Sequence, residues 1–248
     1  MSIIDEYQQQ RAWRSWPLLF DRLPNLKNAL VLDLGSGVGD NAADLSARGA
    51  QVIGLDLSPE LTAAAQARQI PNAHFRIADL RLPLELDRNA DGIWGGFVAA
   101  YFPSLVDALR DWTRWLKPGG WVALVEIDDL FGHEPIPTRA RELLSGYVSE
   151  SLAARRYDFC MGRKLAAHLR EAGLTPLDEF VVPDAEFAAS GPLHADIIAG
   201  WRRRFDRMLL LQQYCGDDFP AVRDAFLACL AREDHRSHAT VRCCIATR

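Results

Sequence analysis

From residue 30 onward the chain sets short apolar runs between longer stretches in which apolar positions recur every three or four residues. Runs at about 30–34, 51–55, 74–77, 91–96 and 121–127 are bounded by glycine, proline and polar clusters, and they predict strands separated by helices. Alternation of this kind is the pattern of βαβ units, and it predicts a doubly wound α/β fold around a parallel sheet. "LDLSPELTAAAQARQ" shows a helix start, with Ser58 as N-cap, Pro59 at the first helical position and Glu60 in the first turn. "WLKPGGWVALVEI" reads as a helix end, a turn and a buried strand.

After Asp129 the rhythm changes. A loop, "DLFGHEPIPT", leads to helices near 137–155 and 161–172, a strand at about 176–182, two helical stretches between 193 and 231, and a final strand in "ATVRCCIAT". With no repeat, low-complexity tract or linker, the late helices read as a cover over the sheet. The expectation is one domain over 1–248, with N-terminal lid helices at about 1–24 and cap insertions at about 130–175 and 188–235. A chain of this length buries a sizeable core without disulfides or metal.

Charge narrows the partners. Lys plus Arg number 28 against 33 Asp plus Glu, a net charge of −5, which disfavours nucleic acid and anionic membrane. The basic run Arg202–Arg204 lies in an amphipathic helical pattern and is expected to form a solvated face rather than a phosphate site. The five cysteines form no CxxC pair and have no metal-spaced histidines, so no metal site is expected and the thiols are expected to be buried and reduced. The first residues, "MSIIDEYQQQRAW", carry two acids where a signal peptide is basic, and no apolar run reaches about 18 residues, so a cytoplasmic protein with no membrane span is expected.

The chemistry gathers at "VLDLGSGVGDN", residues 31–41, where a buried run ends in Gly35, Gly37 and Gly39. Strand, glycine turn and helix start mark the place where doubly wound folds bind ligands. Two ligands compete for such a turn. The dinucleotide fingerprint G-x-G-x-x-G fits Gly35 and Gly37, but its third position falls on Asp40. Asp33, two residues before the first glycine, adds a fixed negative charge that suits a cation better than a pyrophosphate. D-x-G-x-G-x-G therefore points away from NAD.

This arrangement resembles the first motif of the class I S-adenosylmethionine-dependent methyltransferases, of the kind that act on small molecules. Further segments similar to that family follow in order: "VIGLDLS", "FRIADL", "ADGIWGGFVAAYF" and "WLKPGGWVALVEI", together spanning roughly residues 30–128, about 40 per cent of the chain. The resemblance implies a seven-stranded, mostly parallel sheet whose last strand is antiparallel. It also implies S-adenosyl-L-methionine as cofactor and S-adenosyl-L-homocysteine as product. Asp33, Gly35 and Gly37 would form the turn. Asp56, followed by Leu57, would take the ribose hydroxyls; Asp79 and Leu80 would meet the adenine; and the backbone of Gly95 and Gly96, with Phe97, would lie beside the methionine part.

For the acceptor the reading is sparser. "EIDDLFGHEP" follows the fifth strand, and His133 is the candidate general base, although a surface-loop histidine fits the same pattern. Asp128 and Asp129 suit turn caps better than a substrate site. Tyr157 is the other catalytic candidate, with Tyr101 and Met161 in the substrate pocket; ordinary core packing explains these side chains equally well. Tyr7 and Arg11, four residues apart, share a helix face and are expected to close over the cofactor. No Asn-Pro-Pro-Tyr tetrad or Pro-Cys pair is present, which speaks against a nucleic-acid substrate. The expected protein transfers a methyl group to a small molecule and is a monomer or homodimer. The alternatives are other chemistry of the same cofactor (cyclisation or aminocarboxypropyl transfer), a non-catalytic cofactor-binding module and, last, an oxidoreductase.

Overall fold

The computed structural model describes residues 3–102, 104–187 and 189–248. The first two residues of the expected lid, residue 103 and residue 188, where the second cap insertion was expected to start, lie outside the described residues.

The five apolar runs form parallel strands: β1 (Leu30–Leu34), β2 (Gln51–Asp56), β3 (Ala73–Ile77), β4 (Ala90–Gly96) and β5 (Leu116–Asp128). Later in the chain come β6 (His133–Glu134), β7 (Thr175–Val182), β8 (Arg236–Ser237) and β9 (Thr240–Thr247). The main sheet has seven strands in the order β3-β2-β1-β4-β5-β9-β7, with β9 antiparallel to both of its neighbours. The winding reverses between β1 and β4, and that reversal opens a crevice at the carboxyl edge of the sheet. The expected seven-stranded, mostly parallel sheet is the one observed.

Side chains alternate across the sheet as strand geometry requires. On β5, Trp121, Ala123 and Val125 enter one core while Val122 and Leu124 enter the other. On β1, Leu30, Leu32 and Leu34 join the second core and Val31 the first, so that Asp33 is carried on the face of Val31.

The helices are α1 (Ile3–Arg11), α2 (Trp16–Phe20), α3 (Asp40–Ala47), α4 (Pro59–Ala67), α5 (Leu105–Trp112), α6 (Thr138–Ala153), α7 (Leu165–Glu171), α8 (Ala195–Arg207), α9 (Leu209–Cys215) and α10 (Phe219–Leu230). The Ser58 hydroxyl caps α4 by accepting from Leu61 N at 3.2 Å. Two details differ from expectation. The region between 193 and 231 holds three helices, because the chain breaks at Met208 and again at Gly216, whose φ of +53° suits glycine. The "DLFGHEPIPT" loop contains β6, which pairs antiparallel with β8 in a separate two-stranded sheet. The late helices build an aromatic core of Phe131, Phe187, Trp201, Phe205 and Phe226 that is continuous with one face of the main sheet.

Candidate active site

The glycine turn is built by its backbone. Gly35, Gly37 and Gly39 all have positive φ, at +68°, +53° and +79°. A Cβ on Gly39 would stand 2.7 Å from Phe75, whereas one on Gly37 would meet nothing within 4 Å, so Gly37 faces open space. The N–H groups of Gly35 and Ser36 donate to Leu55 O at 2.8 and 3.0 Å, which ties the turn to β2.

Asp56 completes that tie. Its Oδ2 accepts from Gly37 N at 2.8 Å and its Oδ1 from Ser58 N at 2.9 Å. Each carboxylate oxygen has a second lone pair, so Asp56 retains capacity for two hydroxyl donors. Leu57 beside it is exposed.

Asp33 is different in kind. It is fully buried, its carboxylate makes no close hydrogen bond among the described residues, and the backbone N–H of Ala42 offers it only a weak donor. Burial, with the Asp56 charge adding to it, pushes its carboxyl up to about 8. A buried acid with so little support is costly, and a cation placed against it relieves that cost.

At the tip of β3, Asp79 is engaged by Arg81, whose Nε and Nη2 reach its two oxygens at 2.8 and 2.7 Å. Those bonds hold its carboxyl down near 2. Leu80 is buried, and its carbonyl accepts from Trp112 Nε1 at 3.3 Å. At the tip of β4, Phe97 has a φ of +57°, unusual for a non-glycine residue, and its N–H donates to Val125 O at 2.8 Å. The Arg14 guanidinium stacks 4.8 Å from the Phe97 ring centroid.

Helix α1 links two parts of the molecule. Arg11 donates to Asn41 Oδ1 at 3.1 Å and pairs with Asp44, both on α3. One turn earlier, buried Glu6 receives Arg207 Nη2 at 2.7 Å, and Arg203 Nε stands 3.6 Å away. The Tyr7 phenol lies where the charges of Arg207, Asp56 and Arg204 act on it. The Tyr7 phenol thus feels the charge of Asp56, while Arg11 is spent on anchoring α1 to α3.

Tyr101 and Tyr157 meet edge to face at 4.8 Å, and Phe159 lies 4.7 Å from Tyr157. Met161 is buried, and it lines a cavity of about 470 Å³ together with Ala100 and Tyr157. Glu126, a residue to which sequence reasoning gave no role, closes this corner. It is fully buried at the end of β5 and accepts from Ala100 N at 3.1 Å and from Ile127 N at 3.0 Å; burial lifts its carboxyl to about 7. Its signal is present in "VALVEI", an acid within an apolar run, as Asp33 is in "LVLDL".

Two expectations are corrected. His133 is not a loop base: it is 4 % exposed, packed against Phe187, Trp201 and Phe226, and stacked on His235. Burial holds its imidazole down near 3, too weak a base to take a proton at neutral pH. The His235 Nδ1–H donates to Gly191 O at 2.8 Å, which leaves His235 Nε2 to accept from His133 Nδ1–H at 3.0 Å. Of the run Arg202–Arg204, Arg202 is exposed as expected, but the next two arginines are not part of a solvated face. Arg203 and Arg207 pair with Glu6, and Arg204 Nη1 pairs with Glu186 Oε1 at 2.5 Å; both acids are buried. Among the described residues no cluster of His, Cys, Asp and Glu has a metal-holding arrangement, and no helix is long and apolar enough to cross a membrane.

A seven-stranded sheet in the order β3-β2-β1-β4-β5-β9-β7, with a glycine turn at its switch point, defines the class I methyltransferase fold. The similarities to known proteins agree. Residues 32–124 match the family described as "Methyltransferase domain". A trans-aconitate 2-methyltransferase of Deinococcus radiodurans is 34 % identical over 124 residues, 48 % of this chain and 47 % of that protein. A demethylmenaquinone methyltransferase of Bacillus licheniformis is 27 % identical over 194 residues, 70 % of this chain and 82 % of that one. An S-adenosylmethionine-dependent methyltransferase from Mesorhizobium loti superposes with a TM-score of 0.55 at 22 % identity, covering 94 % of this chain and 97 % of that one. Residues 32–124 thus match a methyltransferase domain, and the fold of the whole chain is that of the class I methyltransferases. The chain spans about half the length of the first curated relatives it matches.

Proposed function

We propose that the protein transfers the methyl group of S-adenosylmethionine to a small-molecule acceptor, with the cofactor in the crevice between β1 and β4. The observation that carries this reading is Asp33, a buried carboxylate that makes no close hydrogen bond among the described residues, set two residues before the open glycine turn. Held protonated by burial in the free protein, it ionises when a positively charged ammonium or sulfonium is placed against it, whereas a pyrophosphate offers it no such partner. The residues fit the cofactor elsewhere too. Asp56 has lone pairs to spare for the ribose hydroxyls, and Leu80 supplies an apolar wall for the base. Asp79 serves the exocyclic amine by sharing oxygens that Arg81 already holds. Tyr7, beside Asp56, covers the ribose.

When bound, the sulfonium makes the methyl electrophilic, so the protein's task is to position the acceptor and exclude water. Phe97, Tyr101 and Tyr157 surround the place where the acceptor stands, and Glu126 pins the Ala100 backbone that carries Tyr101. Relatives that bear the names of trans-aconitate and demethylmenaquinone methyltransferases support a small molecule as the acceptor class.

Thermal unfolding with S-adenosylmethionine, S-adenosylhomocysteine and NADH tests this reading. A ligand at about 100 times its dissociation constant adds about 2.7 kcal/mol to stability. Both sulfur ligands are expected to stabilise the protein and NADH is not; Asp56→Ala is expected to abolish the effect. Stabilisation by NADH alone refutes the assignment. Formation of S-adenosylhomocysteine in step with a methylated acceptor separates methyl transfer from cyclisation and from aminocarboxypropyl transfer.

A further inference from the structure

The glycine turn is held from two sides. On one, Asp56 Oδ2 accepts from Gly37 N at 2.8 Å. On the other stands Arg68, the residue that closes α4. Its Nη1 donates to Val38 O at 2.5 Å and to Asp40 Oδ1 at 2.7 Å, across 30 and 28 positions of sequence. Asp44, the next acid along α3, goes to Arg11 and Arg48, so the only ion pair of Asp40 among the described residues is with Arg68.

Val38 needs such a tie. It lies between Gly37 and Gly39, whose φ values of +53° and +79° belong to a region in which the missing Cβ leaves the backbone free to rotate. The peptide between Val38 and Gly39 is fixed at both ends: the Gly39 N–H donates to Ser36 O at 2.8 Å, and the Val38 carbonyl accepts from Arg68. Without the guanidinium that plane keeps the Ser36 bond alone. The base from which Arg68 reaches is rigid. A Cβ on Gly39 would stand 2.7 Å from Phe75 and 3.0 Å from Ile70, and Gln66 Nε2 donates to Phe75 O at 3.0 Å, so the end of α4 and β3 are packed together under the turn. The Arg68 side chain is 33 % exposed, and a partly solvated ion pair counts for little by itself. The charge-assisted bond to the carbonyl of Val38, a buried residue, is the stronger restraint.

We propose that Arg68 is a positioning residue of the cofactor site: by locking the Val38–Gly39 peptide, it keeps the face left open at Gly37 preformed for S-adenosylmethionine. This rests on the methyltransferase reading above. A turn that is already ordered binds its ligand without the entropic cost of ordering it then. A determinant of cofactor affinity thus lies on α4, away from the strand tips.

Isothermal titration of the full chain with S-adenosylhomocysteine tests the assignment, together with amide hydrogen exchange of the ligand-free protein. Arg68→Ala is expected to weaken binding at least fivefold and to speed exchange of the Gly37 and Gly39 amides at least fivefold, with the amides of β1 to β5 unchanged. Arg68→Lys keeps one charged donor for Val38 O and is expected to bind within threefold of the wild type. Asp40→Asn breaks the ion pair but spares the carbonyl bond, and it too is expected to bind within threefold. A smaller loss in Arg68→Ala, a loss that Arg68→Lys does not lessen, or unchanged exchange at Gly37 and Gly39 overturns the assignment while leaving the methyltransferase reading intact. Equal losses in Asp40→Asn and Arg68→Ala overturn it as well, because they put the effect in the ion pair. Failure of S-adenosylhomocysteine to bind the wild type refutes that reading and this one together.

Discussion

Asp33 and His133 are both ionisable, both buried and both shifted toward neutrality, yet their settings are opposite. Asp33 stands near the end of β1, two residues before the glycine turn, and its carboxylate makes no close hydrogen bond. His133 stands inside the aromatic cap with a neighbour committed to it, His235, which is itself fixed by the Gly191 carbonyl. A carboxylate two residues before the glycine turn is poised for a ligand, whereas an imidazole enclosed by rings and held through Nδ1, its Nε2 left bare, is part of the packing. Burial or a displaced pKa alone does not separate the two, because either setting produces both.

The largest expected effect comes from Asp33→Asn without ligand. Folded Asp33 holds its proton up to about pH 8, while the unfolded carboxyl releases it near 4. Between those values the folded state binds the extra proton, so wild-type stability falls as pH rises through the window. The asparagine variant has no charge to bury. Urea unfolding is expected to show it about 5 kcal/mol more stable than the wild type at pH 8 and nearly equal to it at pH 4, with at least tenfold weaker binding of S-adenosylmethionine. A constant difference between the two pH values would mean that Asp33 is not the lone acid described.

His133→Leu runs the other way. His133 is held near 3, so between pH 6.5 and 3 the unfolded state binds a proton that the folded state refuses, and wild-type stability falls as pH falls. The leucine variant strands His235 Nε2 and is expected to be about 1–2 kcal/mol less stable at pH 8. Its decline toward acid is expected to be shallower than the wild type's, and loss of turnover is expected only in proportion to loss of folded protein. Turnover abolished in a fully folded variant would return His133 to the catalytic site.

Glu6→Gln tests how α1 is held. Expected are a loss of about 1 kcal/mol and roughly tenfold faster amide hydrogen exchange over residues 3–11, with the strands unchanged. Asp79→Ala is the mildest. Its side chain is taken by an exposed arginine, so stability is expected to move by less than about 0.5 kcal/mol and cofactor dissociation constants to rise severalfold. No change in cofactor affinity would remove Asp79 from the adenine site.

The sequence made the sheet and the crevice legible because both depend on local signals. Five apolar runs, three glycines at alternate positions and acids at two strand tips are written within the first 128 residues. The last antiparallel strand was implied by resemblance and is observed. The cap was less legible for physical reasons. Strands β6 and β8 are two residues each, too short to show a period of two. Arg207 finds Glu6 across 201 positions of sequence, and Arg14 finds Glu186 across 172, separations at which no helical or strand spacing operates. The seclusion of His133 likewise depends on Phe187, Trp201 and Phe226, aromatic residues that only the tertiary fold brings around it.

Strand β9 has a consequence for timing. Residues 240–247 are synthesised after every other strand of the main sheet, yet they lie between β5 and β7. Until they emerge from the ribosome, β5 has a bare edge and β7 has no neighbour in the sheet. The nascent chain thus carries β1 to β4 early but keeps two adhesive borders open until β9 appears, the period in which a chaperone has most to cover.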